Sequence, residues 1–349
     1  MVVLPNNMAF GANAICHPML WPQKSLLTNS IGSYPQETIK KIVTHANKLI
    51  DQSTHPVKQL SSAGKTNIND ASLIASRVGF KDADHAALLA LTYYLTRNQD
   101  YFNKTRQVLL DWSHTNQPTG NPIDETRLEG MIWAYDLIAC DLSLHDNKQI
   151  RDWFNQIRLK KIAWVLGPTT TMNNHRIHQL KMLLLIDIVL NRHEELKKDI
   201  LTVKKYCNIN LDPNTGRSYD YRQRTALYYH NYDLQPWLEI TLISEVCRRP
   251  VIKAFQFLSK QILSGHMNHE FSQSQAKIDM LRAHGGFGYA KKNGTFDVTK
   301  AAPTIVMFYT IVDTRPNEKL WHIVRETTSP WLEFLKARRQ LWHLQRTST

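Results

Sequence analysis

The sequence predicts an all-α protein, an (α/α) toroid or incomplete barrel of helical hairpins, and three features carry that expectation. Apolar residues recur at the spacing of an amphipathic helix along most of the chain. Alternation of the strand kind is scarce. The breaks are loop-like and divide the helical stretches into pairs: Gln117–Pro122, Gly167-Pro168, Asp212–Gly216 and Gly285–Gly288. No fixed-period consensus repeats, which favours a closed ring of hairpins over an open solenoid.

Residues 1–35, rich in Pro and Asn at their start, read as an irregular segment, and residues 36–349 read as one domain. Its first helix is expected over Thr38–Ile50, where Ile39, Ile42, Ala46, Leu49 and Ile50 share a face. A pair follows: Asp82–Thr96, with Ala83, Ala86, Ala87, Ala90, Leu91 and Leu95, and Asp100–His114, with Phe102, Val108, Leu109 and Trp112. Asp124–Ile138 is announced by Pro122 and by two acids in its first turn, where the helix dipole favours negative charge. Asn147–Ile162 comes next. Asn174–Asn191 is apolar nearly all round from Ile177 onward, the pattern of a helix buried on every side. Further helices are expected at His193–Tyr206, Asp233–Val246, Val251–Leu263, Ala301–Ile311 and Trp331–Leu344.

The 349 residues are 42% hydrophobic and 21% charged, which excludes the disordered and fibrous classes. Lys and Arg number 43 against 30 Asp and Glu, a net charge of +13, so a polyanionic partner is expected, either nucleic acid or an acidic polysaccharide. The longest apolar stretch, Met182–Leu190, is interrupted by Asp187 and is too short to span a bilayer. Met1–Phe10 lacks the cationic head and apolar block of a signal peptide. Cys16, Cys140, Cys207 and Cys247 lie far apart with no CxxC pair, so they read as buried thiols or at most two bridges, with no metal site. His266, His269 and Glu270 have metal-like spacing without a fourth ligand, and a place on a helix surface or a supporting role behind the residues that touch substrate is the expectation.

Three segments carry candidate chemistry. Thr169–His178 places Asn174, His175, Arg176 and His178 at the start of the buried helix, where unpaired N–H groups and a positive dipole end suit a carboxylate. Ser218–Tyr232 gathers five tyrosines, two arginines and a histidine. Gly120–Gly130 leads into a helix and offers Arg127, a planar cation suited to an acidic ligand.

At these places the sequence resembles the alginate lyase superfamily. The resemblance rests on Asn174-His175 opening a buried helix and on Ala226-Leu227-Tyr228-Tyr229-His230-Asn231-Tyr232 after an arginine. Gly120–Leu137 and the Ala83–Trp112 helical pair are similar to it as well, so that it covers roughly residues 55–320. It implies an (α/α) toroid that binds an anionic polysaccharide and cleaves it by β-elimination with no cofactor or metal. The family's asparagine and histidine fall on Asn174 and His175, and its catalytic tyrosine on Tyr232. Thr225 occupies the family's arginine position, so Arg224 is expected to substitute, with Arg222 as a second choice. Asp233 follows Tyr232 where a small residue is usual and is expected to add negative charge beside the site.

The reaction explains the residue types. Removing the C5 proton of a uronate forces a second negative charge into a carboxylate, which preorganised donors must offset. Asn174, His175 and Arg224 suit that role. Tyr232 can act as base and acid, or as acid with His175 as base, and cations such as Arg224 or Arg222 are expected to lower its pKa. Substrate contacts are expected from Lys65, Arg127, Arg222, Tyr229 and His230. The competing expectations are a non-catalytic acidic-polysaccharide binder on the same scaffold and, less favoured for want of a recognition motif, a nucleic-acid-binding helical protein. A uronan substrate implies a periplasmic or secreted protein.

Overall fold

The computed structural model describes residues 17–21 and 36–347. Apart from 17–21, the expected irregular opening lies outside the described residues. Among those described there is no strand, only two isolated bridges, Leu211 with Ser218 and Glu270 with Gly294. The helices are α1 (Gln36–Asn47), α2 (Ala71–Thr96), α3 (Gln99–Thr115), α4 (Pro122–Glu125), α5 (Glu129–Ile138), α6 (Leu144–Ala163), α7 (Asn174–Val189), α8 (His193–Asn210), α9 (Tyr219–Arg224), α10 (Leu227–Ser244), α11 (Arg248–Leu263), α12 (Lys277–His284), α13 (Ala302–Val312), α14 (Glu318–Glu326) and α15 (Pro330–Thr347).

Packing sorts them into two layers. α2, α5, α7, α10, α13 and α15 each pack on the next, and α15 packs back against α2, closing an inner ring. α1, α3, α6, α8, α11 and α14 stand behind that ring as the outer partners. This is the (α/α) toroid that the sequence predicts. The inner helices are apolar on every face because neighbours and outer partners cover them: after Glu129, every residue of α5 is buried. Close approach is built in at Gly130, where a Cβ would stand 2.2 Å from the Ala83 carbonyl oxygen of α2.

One apolar cluster runs through the ring, and a buried bidentate ion pair, Arg338 to Glu239 at 2.7 and 2.9 Å, ties α15 to α10 within it. Arg338 also stands 4.6 Å from the Trp133 ring centroid. A second, smaller cluster of Leu73, Ala226, Tyr229, Phe271, Phe287 and Ala290 underlies one end. A disulfide joins Cys207 of α8 to Cys247, just before α11, and Cys140 is disulfide-bonded too.

Two boundaries differ from expectation for local reasons. α2 begins at Ala71 instead of Asp82 because Asp70 caps it, accepting from the Ser72 and Leu73 N–H groups. α10 begins at Leu227 instead of Asp233, so Tyr228, Tyr229 and Tyr232 are all helical. α9, α12 and α14, all short, are additions to the expected set.

Candidate active site

Two buried helix starts meet at one end of the ring. α7 starts at Asn174 because Asn173, in extended conformation, accepts the His175 N–H at 3.0 Å. A carboxylate from α9 meets the neighbouring donors: Asp220 takes the Asn174 backbone N–H and one N–H of its side chain, each at 2.8 Å. The Asn174 amide is thereby fixed, with one side-chain N–H still to give. The His175 Nδ1 stands 3.1 Å from the Asn173 oxygen. With Nδ1 donating there, Nε2 carries the lone pair. Burial first, then the charges of Arg224 and Arg282, push the His175 pKa down to about 4, so the ring is neutral at ordinary pH.

α10 starts differently. Its first N–H groups, those of Leu227 and Tyr228, donate to the distant Glu270 at 2.5 and 2.9 Å. Burial pushes this carboxyl up to about 7 against the pull of those two donors. α10 then presents Tyr228, Tyr229 and Tyr232. The Tyr232 ring lies 4.4 Å from that of His178, one turn beyond Asn174 on α7. Pro236 has no N–H, so the Tyr232 carbonyl loses its helical partner; that carbonyl partly offsets the burial that holds His178 well below its usual pKa. The Tyr232 phenol is raised above its ordinary value by burial and by Tyr228, with Arg127 pulling the other way.

Guanidinium groups complete the cluster. Arg224 donates to Asp220 at 2.8 Å and to Asp279 of α12 at 3.0 Å, and stands 4.4 Å over the Tyr229 ring. Arg282, also of α12, donates to the Tyr229 hydroxyl and, at 3.0 Å, to the Lys65 carbonyl. The Lys65 ammonium reaches Asp70 at 3.0 Å. Tyr228 stacks on Tyr289 at 4.0 Å. Arg127, half-exposed, faces Asp84 at 3.4 Å, whose carboxyl is raised to about 6 chiefly by burial.

Of the residues expected from sequence, Asn174, His175, Arg224, Tyr229 and Tyr232 gather here, with Arg127 on the Tyr232 side and Lys65 at the edge. Four expectations need correction. Arg222 is exposed and donates to the Ile209 carbonyl at 3.0 Å at the end of α8, because α9 turns it outward. His230 is fully buried with both nitrogens used, Nδ1 accepting from Ser218 N–H at 3.2 Å and Nε2 donating to the Ala254 carbonyl at 3.0 Å. The cation acting on the Tyr232 phenol is Arg127, where Arg224 or Arg222 was expected, and the phenol is raised. Asp233 is completely buried against Asn210 and does not face the site's open side, and burial, then the neighbouring Asp220, lifts its carboxyl well above the usual range.

Sequence reasoning passed over Arg282, Tyr289 and Asp220, and Glu270, expected on a helix surface, is instead buried outside any helix and caps α10. The one signal for the first two was their place around Gly285-Gly286, a break the sequence does mark. His266, His269 and Glu270 line a separate cavity of about 350 Å³ with Thr225, and Glu270 is committed to α10.

The family model described as alginate lyase matches residues 29–253, and the chain belongs to that family. An alginate lyase from Bacteroides ovatus superimposes with a TM-score of 0.58 at 14% identity, covering 90% of this chain and 100% of that one. Alginate lyase A1-III from Sphingomonas species A1 gives 0.61 at 12% identity, over 95% and 99%. A variant of alginate lyase A1-III with a histidine replaced by alanine, complexed with tetrasaccharide, gives 0.59 at 12% identity, over 89% and 91%. At these identities the likeness is one of fold. No curated protein matches the sequence. The family makes the chain an enzyme, which sets aside the non-catalytic polysaccharide binder. No described helix is long and apolar enough to cross a membrane.

Proposed function

We propose that this lyase cleaves a 4-O-linked uronic-acid polymer, alginate or a related uronan, by metal-independent β-elimination, with His175 as base and Tyr232 as acid. What supports the proposal is a neutral imidazole at the start of α7, its Nδ1 turned to Asn173, together with an un-ionised phenol on α10 whose ring lies 4.4 Å from that of His178, three residues along the same helix. The C5–H bond breaks as its proton passes to His175 Nε2, the electrons form the C4=C5 double bond, the C4–O4 bond breaks, and Tyr232 protonates O4. The remaining side-chain N–H of Asn174 and a guanidinium offset the second charge that builds on the carboxylate. Arg224 acts through Asp220, which it holds against Asn174.

This division of labour suits a sugar whose C5 proton and O4 lie on opposite faces of the ring. Incubation with mannuronate, guluronate and glucuronate polymers in the presence of a chelator tests it: unsaturated product should appear in the near ultraviolet. If no uronan yields such product, the proposal fails.

We infer a periplasmic or secreted location. The Cys207–Cys247 disulfide supports it, since such bonds persist in oxidising compartments. Recovery of the native protein from cytoplasm with both cysteines reduced would contradict it.

A further inference from the structure

Two guanidinium groups act on His175, and they are not equivalent. Arg224 donates to two carboxylates, Asp220 and Asp279, and covers the Tyr229 ring with one face. Two negative charges already surround its single positive one, so it has little attraction left for a third anion. Arg282 has only neutral partners: its Nε donates to the Lys65 carbonyl and its Nη1 to the Tyr229 hydroxyl. Among the described residues it makes no ion pair, and neither of these bonds uses Nη2.

Arg282 is also held still. The Lys65 loop that accepts from it is docked on α12, with the Ile68 N–H donating to the Gly285 carbonyl at 2.8 Å. The contact is possible only because residue 285 is glycine: a Cβ there would stand 1.6 Å from the Thr66 carbonyl oxygen. A fixed, uncompensated guanidinium beside the base is the arrangement that binds a carboxylate and gains most as its charge doubles. Thr225, where the resemblance expects arginine, lines the cavity of His266 and His269 and offers no cation.

We propose that Arg282, not Arg224, receives the carboxylate of the sugar that is cleaved. The proposal rests on the lyase reading above and assigns its charge-reading group; Arg224 is a positioning residue for Asn174.

Equilibrium binding of a uronate tetrasaccharide and of its methyl ester, measured by calorimetry for the wild type, R282Q and R282K, tests it apart from turnover. R282Q should weaken binding of the free acid by about 10- to 100-fold, the worth of hydrogen bonds to a charged group, and change binding of the ester by less than about threefold. R282K, which keeps the charge and loses the Nε donor to Lys65, should retain a preference for acid over ester. Equal loss for acid and ester in R282Q, or no loss for the acid, overturns the assignment, as does loss of the preference in a folded R282K. Selective loss of acid binding alongside a wild type that turns over no uronan would keep Arg282 as the carboxylate site and sink the lyase reading instead.

Discussion

At the start of α7 the orphan helix donors are met by Asp220, which Arg224 faces at 2.8 Å and which Arg224 links onward to Asp279. At the start of α10 they are met by Glu270, which no cation faces within 4 Å among the described residues. Both carboxyls are buried, and burial raises both pKa values. The difference lies in what opposes burial: a guanidinium and the Asn174 donors at Asp220, two backbone N–H groups alone at Glu270. The networked acid fixes the Asn174 amide, next to the proposed base His175. The isolated one anchors a helix whose tyrosines are already held by rings around them. Charge is spent where geometry must be fixed most tightly.

Removing the reacting groups gives the largest expected effect. His175→Ala and Tyr232→Phe should each lower kcat by about 10²–10⁴-fold, the usual worth of a positioned acid or base, with little change in melting temperature. A variant that keeps a tenth of wild-type turnover would remove that residue from the mechanism.

Asp220→Asn strikes the networked acid. It leaves Arg224 with Asp279 as its remaining carboxylate partner and the Asn174 donors with a single amide oxygen, a loss of about 1–3 kcal/mol. Both denaturant midpoint and kcat should fall, and an unchanged kcat would show that Asn174 needs no such anchor.

The pH profile sharpens the contrast from the side of α7. His175 acts as a base only when neutral, and burial with Arg224 and Arg282 brings its pKa to about 4. The acid limb of kcat/KM should therefore fall near pH 4, activity being kept above it and lost below as the ring gains a proton. An acid limb near the ordinary histidine value of about 6.5 contradicts the assignment.

Glu270→Gln should do least to catalysis, within about tenfold, because the amide oxygen still accepts one N–H and only one modest hydrogen bond is lost. Its stability signature is distinctive. The folded carboxyl titrates at about 7 against 4.5 for an unperturbed one, so the wild type loses stability as pH rises through that window. Glutamine does not ionise, and the stability difference between variant and wild type should move in the variant's favour between pH 5 and 8. A difference independent of pH would mean that Glu270 does not titrate there.

The start of α7 was legible because asparagines precede a run that is apolar on every side, a pattern that marks both a cap and a buried helix. Tyr232 was legible through its string. The same string misled at His230, since spacing cannot tell a ring with both nitrogens bound to backbone from one open to a ligand. Arg282 was not legible: α12 has eight residues and no apolar period, and its partner Lys65 lies 217 positions away. Long-range caps such as Asp220 on Asn174 and Glu270 on Leu227 have no local signature. The ring itself was readable because helical periodicity is local, whereas which cation meets which phenol is decided by packing.

The central claim is that His175 and Tyr232 together carry out β-elimination on a uronan. The most direct test follows near-ultraviolet absorbance as wild type, His175→Ala and Tyr232→Phe act in chelator on mannuronate, guluronate and glucuronate polymers. The account predicts a rising signal for the wild type on at least one polymer and its near-complete loss in both variants. No signal from the wild type on any of them, or an undiminished one from either variant, would contradict it.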